Sequence, residues 1–269
     1  MENKSNEHYD GYRALARVYD RLNAEIDYEG WADFVESCFA RYLAKKPELV
    51  LDLACGTGRM TLPLAFRGYD MIGVDGSMDM LSVACERAYE HEDVPSPLFL
   101  LQDMRAFELY GTVGAVTCCL DSINYLLSED DVRACFACVH NYLDPDGLFL
   151  FDVNTPYKFE NIYGDNAYIL EDAWTDEDGE EQSAYCGWQN HYDRETGICE
   201  FELSVFEQTP DGRYERADEV QRERCYDEEA LKKLLGETGF ELIGIYGDWQ
   251  FATPGKTCER WYFVARCKK

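Results

Sequence analysis

Apolar positions along the chain follow two periods. Short apolar runs at 48–53 (ELVLDL), 70–74 (DMIGV), 97–101 (PLFLL), 112–119 (TVGAVTCC) and 147–153 (GLFLFDV) alternate with segments in which apolar residues recur every three to four positions. Runs this short and rich in Val, Leu, Ile and Phe predict strands, and the segments between them predict helices. The alternation is that of successive βα units around a parallel sheet. Ser77 predicts the cap of a helix reaching about Ala88, and Ser128 with Asp131 three residues on predicts a capping box for a helix through Tyr142. Asp227 caps a further helix ending before Gly239, and 240–246 and 259–267 return to strand patterns. Ahead of the first strand, 8–20 and 29–44 predict two helices that could form a lid.

Between 155 and 226 the pattern changes. Segments 183–193, 197–207 and 213–225 predict antiparallel strands, joined by DRETG and TPDGR, which carry hairpin-turn residues. The run EDAWTDEDGEE at 171–181 predicts a solvated loop.

Composition narrows the function. The 269 residues include 53 acidic and 25 basic ones, a formal charge of −28 with no local basic patch, so a phosphate backbone would be repelled and no nucleic-acid partner is expected. No run of eighteen apolar residues and no signal-peptide core in the first twenty residues predict a cytoplasmic protein without a membrane. The twelve cysteines fall mostly in apolar runs, such as Cys118 and Cys119, and read as reduced core residues. Cys135 and Cys138 have metal-ligand spacing, but His140 lies on another helix face and no second pair completes a set, so no metal is expected. Gln250 stands where a phosphate loop ending in GKT at 255–257 needs glycine.

The stretch LDLACGTG at 51–58 ends a strand and opens a helix, with glycines that let backbone approach a ligand. Asp75 follows at the end of the next strand, 19 residues after Gly56, where an acid can bind a ribose diol. A dinucleotide fold would place a third glycine at Thr61.

VLDLACGTG, then VDGSMDML at 74–81, LQDMRAF at 101–107 and CCLDSINYL at 118–126 resemble, in order and spacing, the motifs of class I S-adenosylmethionine-dependent methyltransferases. The N-terminal Tyr19–Asp20, the segment Asp27, Tyr28, Trp31 and the insertion look most like bacterial small-molecule enzymes related to the sugar N-methyltransferases. The resemblance implies an α/β fold, a Rossmann-like, mostly parallel seven-stranded sheet with helices on both faces. Residues 1–154 and 227–269 would build it, 1–46 as a helical lid, with an antiparallel β insertion at 155–226 on the acceptor side.

It also implies a donor site. Ala54, Cys55, Gly56 and Gly58 would pack against the methionine part and ribose, Asp52 would support the loop and attract the amino group, and Asp75, flanked by Gly76, would accept both ribose hydroxyls. Ser77 and Met80 would lie beside the adenine. Asp103, with Gln102 next to it, would accept from the adenine amino group, and Met104 would donate its backbone amide to the ring. Leu120 and Asp121 would lie near the sulfonium, with Tyr19, Tyr28, Trp31 and Tyr125 closing the site.

The sulfonium makes the methyl group electrophilic, so alignment for in-line displacement is the main task, worth about 7–11 kcal/mol, and no metal is needed. Asp121 and Tyr19 are the catalytic candidates: Asp121 is the nearest group able to take a proton from the acceptor, or it orients the donor's amino group. Tyr19 and Tyr125 offer ring faces to the sulfonium or hydroxyls to the acceptor. The expected reaction moves a methyl group to a nitrogen or oxygen of a small molecule, leaving S-adenosylhomocysteine. The alternatives are an NAD(P)-dependent oxidoreductase, disfavoured by Thr61, and a catalytically silent donor-binding module. Exposed strand edges in the insertion suggest a homodimer.

Overall fold

The structure, a computed structural model, describes residues 16, 19–20, 23, 25–91, 95–175, 179, 181–209 and 211–269. The helix expected at 8–20 lies largely outside them. The one expected at 29–44 is α1 (Tyr28–Tyr42), capped by the Asp27 carboxylate, which accepts from the Gly30 amide. The chain continues through β1 (Leu49–Leu53), α2 (Thr61–Phe66), β2 (Asp70–Asp75), α3 (Met78–Tyr89), β3 (Leu98–Leu101), β4 (Val113–Cys118), α4 (Glu129–Tyr142) and β5 (Leu143–Asn154). After the insertion come α5 (Glu228–Glu237), β10 (Phe240–Tyr246) and β11 (Arg260–Cys267). Ser77, Ser128 and Asp227 cap α3, α4 and α5 as the sequence predicts, each accepting a backbone N–H of the first turn.

The main sheet has seven strands in the order β10-β11-β5-β4-β1-β2-β3. All run parallel except β11, which pairs antiparallel with both β5 and β10. Its central strands are apolar on both faces because helices cover both: α4 and α5 bury Phe136, Val139, Leu231 and Leu235 on one side, and α1 and α2 bury Phe34, Val35 and Leu64 on the other. β1 lies between β2 and β4, and both connections leave it in opposite directions, so the switch point of the sheet falls at the carboxyl ends of β1 and β4.

The inserted sheet is antiparallel, β6 (Ala167–Thr175), β7 (Glu181–Asp193), β8 (Ile198–Gln208) and β9 (Tyr214–Arg224), in sequential order. β6 corrects the loop expected at 171–181. Glu171 to Thr175 pair with β7 out to Glu181, Trp174 and Asp172 lie half-buried on the face toward Ala184 and Leu203, and Glu171, Ala173 and Thr175 face water. The acidic composition marked solvent exposure, and an edge strand satisfies that with one face.

Polar bonds fasten the insertion over the switch point. Asn124 donates from Nδ2 to the Arg224 carbonyl at 2.8 Å and accepts the Asn154 amide at 2.9 Å, while Tyr125 Oη donates to Gln221 Oε1 at 2.8 Å. Tyr19 packs on the same face of the inserted sheet, against the cluster of Ala184, Cys186, Leu203 and Val205. Among the described residues no helix is long and apolar enough to cross a membrane.

Candidate active site

The glycine turn leaves β1 through alternate left-handed residues, Ala54 (φ 57°), Gly56 (φ 53°) and Gly58 (φ 76°). Side chains disfavour this conformation, which explains two of the three residue types. A Cβ on Gly56 would meet nothing within 4 Å, so its backbone faces open space, whereas one on Gly58 would lie 3.3 Å from Ala84 on α3. One glycine thus admits a ligand and the other admits a helix.

Asp52, at the base of the turn and 1% exposed, accepts from the hydroxyls of Thr61 (2.6 Å) and Thr117 (3.0 Å). Burial pushes its carboxyl up to about 6, with the two hydroxyls opposing. The residue that replaces the third glycine of a dinucleotide motif is therefore the partner that holds Asp52 under the loop.

Asp75, at the end of β2, accepts the Gly56 amide on Oδ2 and the Ser77 amide on Oδ1, both at 2.8 Å. Burial raises its carboxyl while these amides lower it. The Gly76 amide also bears on it, and the poorly solvated charge, with acceptor capacity left on its two oxygens, suits the hydroxyls of a diol. Ser77 and Met80 are buried in the first turn of α3 beside it.

At the end of β3, Gln102 clamps its own loop, bonding both backbone groups of Glu108, and the Arg105 guanidinium holds the Asp103 carboxyl below its usual range. Met104 is partly buried against the main core. Asp103 is half exposed and retains acceptor capacity beyond Arg105.

The end of β4 is the most constrained part. Leu120 (φ 61°) and Asp121 (φ 54°) are consecutive left-handed residues, a costly conformation for side chains of their kind. The Asp152 carboxylate on β5 accepts both amides, Leu120 on Oδ1 at 2.8 Å and Asp121 on Oδ2 at 2.9 Å. Arg260, at the start of β11, pairs with Asp152 and also, at 2.7 Å, with Asp121. Burial would raise the Asp121 carboxyl, but the charges of Arg260 and Lys158 prevail and hold it low. Arg260 lies over the Trp31 ring, which packs on Trp249 and Tyr262, so Trp31 supports the guanidinium from the core. Tyr19 is close to Tyr28, Asp20, Asp121 and Arg260, and burial raises its hydroxyl. Asp20 accepts from Thr57 Oγ1 at 2.7 Å and pairs with Arg87, tying the N-terminal segment to the glycine turn.

Sequence reasoning missed Arg59, Asp152, Arg260 and Glu223. Arg59 directly follows Gly58, and that adjacency was its signal. Its guanidinium lies 4.7 Å from the Tyr28 ring centre, and neither Arg59 Nε nor Tyr28 Oη has a hydrogen-bond partner among the described residues, though both are buried. Two orphaned donors beside a ligand-admitting turn fit a carboxylate, the one anionic group of S-adenosylmethionine.

Four neighbouring parallel strands thus end along one edge of the sheet in a glycine turn, a carboxylate suited to a diol, a half-exposed carboxylate and a largely buried carboxylate facing cations. Fold and site define a nucleoside-binding α/β methyltransferase. A model of the methyltransferase domain matches residues 50–147. A Geobacillus sp. protein provisionally named a methyltransferase is 35% identical over 255 residues, covering 95% of this chain and 99% of its own. Among solved structures, an S-adenosylmethionine-dependent methyltransferase from Clostridium acetobutylicum has TM-score 0.79 at 29% identity, over 95% of this chain and 98% of that one. The sugar N-methyltransferase KedS8 of Streptoalloteichus shares the fold, TM-score 0.77 at 20% identity, over 100% and 99%. The chain belongs to the S-adenosylmethionine-dependent methyltransferases.

Proposed function

We propose that this enzyme methylates a nitrogen or oxygen of a small molecule by direct in-line transfer, and that its acceptor is preferentially an amine. The observation that carries the reading is the acidic lining where the inserted sheet meets the end of β4: Asp152 and Glu223 are buried and the Asp121 side chain is largely so. Three carboxyl groups against the two cations Arg260 and Lys158 leave this lining able to balance one further cation but no anion. Asp75 binds the donor ribose, Arg59 and Tyr28 take the methionine carboxylate, and the Leu120–Asp121 turn faces the sulfonium. Tyr19 and Tyr125 close the crevice, and the insertion at 155–226 supplies the acceptor side. The bound donor supplies an activated methyl group, and the chain's residues orient it and exclude water. No step in this reading calls for a metal. A cytoplasmic location and a homodimer formed through the insertion's edges belong to the same reading.

The test combines calorimetric titration with methyl-transfer assays using labelled donor and a panel of small amines, alcohols and carboxylates. We expect saturable donor binding, amines as the best acceptors, and at least tenfold weaker donor binding in Asp75→Ala, because a hydrogen bond to a charged group contributes about 1.5–3 kcal/mol. Unchanged affinity in that variant would remove Asp75 from the ribose site, and transfer only to carboxylates would overturn the acceptor class.

A further inference from the structure

Glu223 comes from the last inserted strand, far in sequence from any donor motif, yet it is 3% exposed and turned into the crevice. Its Oε2 accepts from Asn154 Nδ2 at 3.0 Å, and the same amide donates to Tyr163 Oη at 3.1 Å. Asn154 Oδ1 in turn accepts from Lys158 Nζ at 3.1 Å. Glu223 and Asp121 act on each other in this cluster, each making the other's second charge costly. Asp121 is paired with Arg260, whereas among the described residues no cation lies within ion-pair distance of Glu223, whose Oε2 has the Asn154 amide as its donor, so the proton resides on Glu223.

The groups facing Glu223 are Asp121 from the turn after β4, Lys158 from the segment after β5, and the side chains of Tyr163, Tyr168 and Cys199. Burial and the Asp121 charge drive its carboxyl well up, against Asn154 and Lys158. Two cations, Arg260 and Lys158, thus meet three carboxyl groups in one enclosed cluster. With Glu223 protonated the charges balance; with a third cation present they balance only when Glu223 is ionised.

We propose that Glu223 is the proton-holding partner of Asp121 at the methyl-transfer centre, keeping its proton until a cation arrives and releasing it when the donor sulfonium binds. This rests on the methyltransferase reading of the crevice. It makes Glu223 a positioning residue: it adjusts the charge of the pair to the cation present. As the acceptor's lone pair forms the new bond to carbon, the carbon–sulfur bond breaks with its electrons going to sulfur. The sulfonium charge disappears, and the Asp121–Glu223 pair can then take up the proton an amine acceptor sheds.

Binding of S-adenosylmethionine and of its uncharged-sulfur product S-adenosylhomocysteine to the full chain tests this without knowledge of the acceptor. Each is titrated calorimetrically at near-neutral pH in two buffers of different ionisation enthalpy, which counts protons exchanged on binding. We expect S-adenosylmethionine to release about one proton more than S-adenosylhomocysteine in the wild type, since proton linkage follows the change in charge at the coupled site. In Glu223→Gln both ligands should bind and the difference should vanish. Equal proton counts for the two ligands in the wild type overturn the proposal whatever the variant does. A difference that persists in Glu223→Gln also overturns it, assigning the proton to another group such as Lys158. Failure of both ligands to bind would overturn the methyltransferase reading itself.

Discussion

Replacing Asp152 by alanine should damage both the fold and the donor site, and the structure sets the size of the effect. The carboxylate is 1% exposed and accepts the amides of two consecutive left-handed residues, at 2.8 and 2.9 Å, while pairing with Arg260. Strained residues of this kind cost about 1–3 kcal/mol each and persist only where surrounding bonds hold them. Removing the holder leaves two amides unpaired and Arg260 with Asp121 as its remaining carboxylate partner. Breaking a buried pair costs about 3–5 kcal/mol, the upper part of which the turn offsets by relaxing out of strain. At about 2.1 cal/mol/K of unfolding entropy per residue, the remaining ~3–4 kcal/mol should cost a chain of this length about 5–7 °C of Tm. Thermal unfolding followed by circular dichroism measures this, and if the Leu120–Asp121 turn faces the sulfonium as proposed, calorimetry should show donor affinity reduced more than tenfold once the turn is released. Asp152→Asn keeps one acceptor oxygen and should fall between. A Tm within about 2 °C of wild type together with unchanged affinity would refute the holding role.

Arg59→Ala should weaken S-adenosylmethionine binding ten- to a hundredfold while leaving affinity for a decarboxylated donor analogue unchanged; equal losses for both would show that Arg59 does not meet the carboxylate. Asp52 gives a pH prediction. Its folded-state pKa of about 6 lies above the usual 3.8, so its contribution favours the fold fully below about pH 4 and is lost as pH rises through 6. The shift corresponds to about 3 kcal/mol. Urea unfolding of wild type and Asp52→Asn should therefore show the wild type losing about that much stability relative to the variant between about pH 4 and 7. A flat difference across that range would mean Asp52 is no harder to ionise in the fold than in the unfolded chain.

The boundaries of β1 to β4 and of α3 to α5 were legible because their causes are local. Apolar runs, caps at Ser77, Ser128 and Asp227, and the DRETG and TPDGR turns each act within a few residues. The place of Asp75 at the end of β2 was legible for the same reason, since one βα unit fixes the distance from Gly56 to the end of the next strand. β6 was not, because an edge strand pairs on one side and its acidic face resembles a loop. Arg59 could be seen beside Gly58, but its orphaned Nε became visible only once Tyr28 lay across it.

By itself, then, the sequence determined the βα order, the glycine turn and the acid at the end of the next strand, since backbone periodicity and turn chemistry are short-range. Tertiary structure alone decided the electrostatics of the reaction centre. Arg260 stands opposite Asn154 in the antiparallel register of β11 with β5, one diagonal step from Asp152. Glu223 reaches Asp121 because the inserted sheet is pinned through Asn124 and Tyr125. Charges more than a hundred residues apart acquire their meaning when burial removes water from between them, and no local pattern records which ones will be buried together.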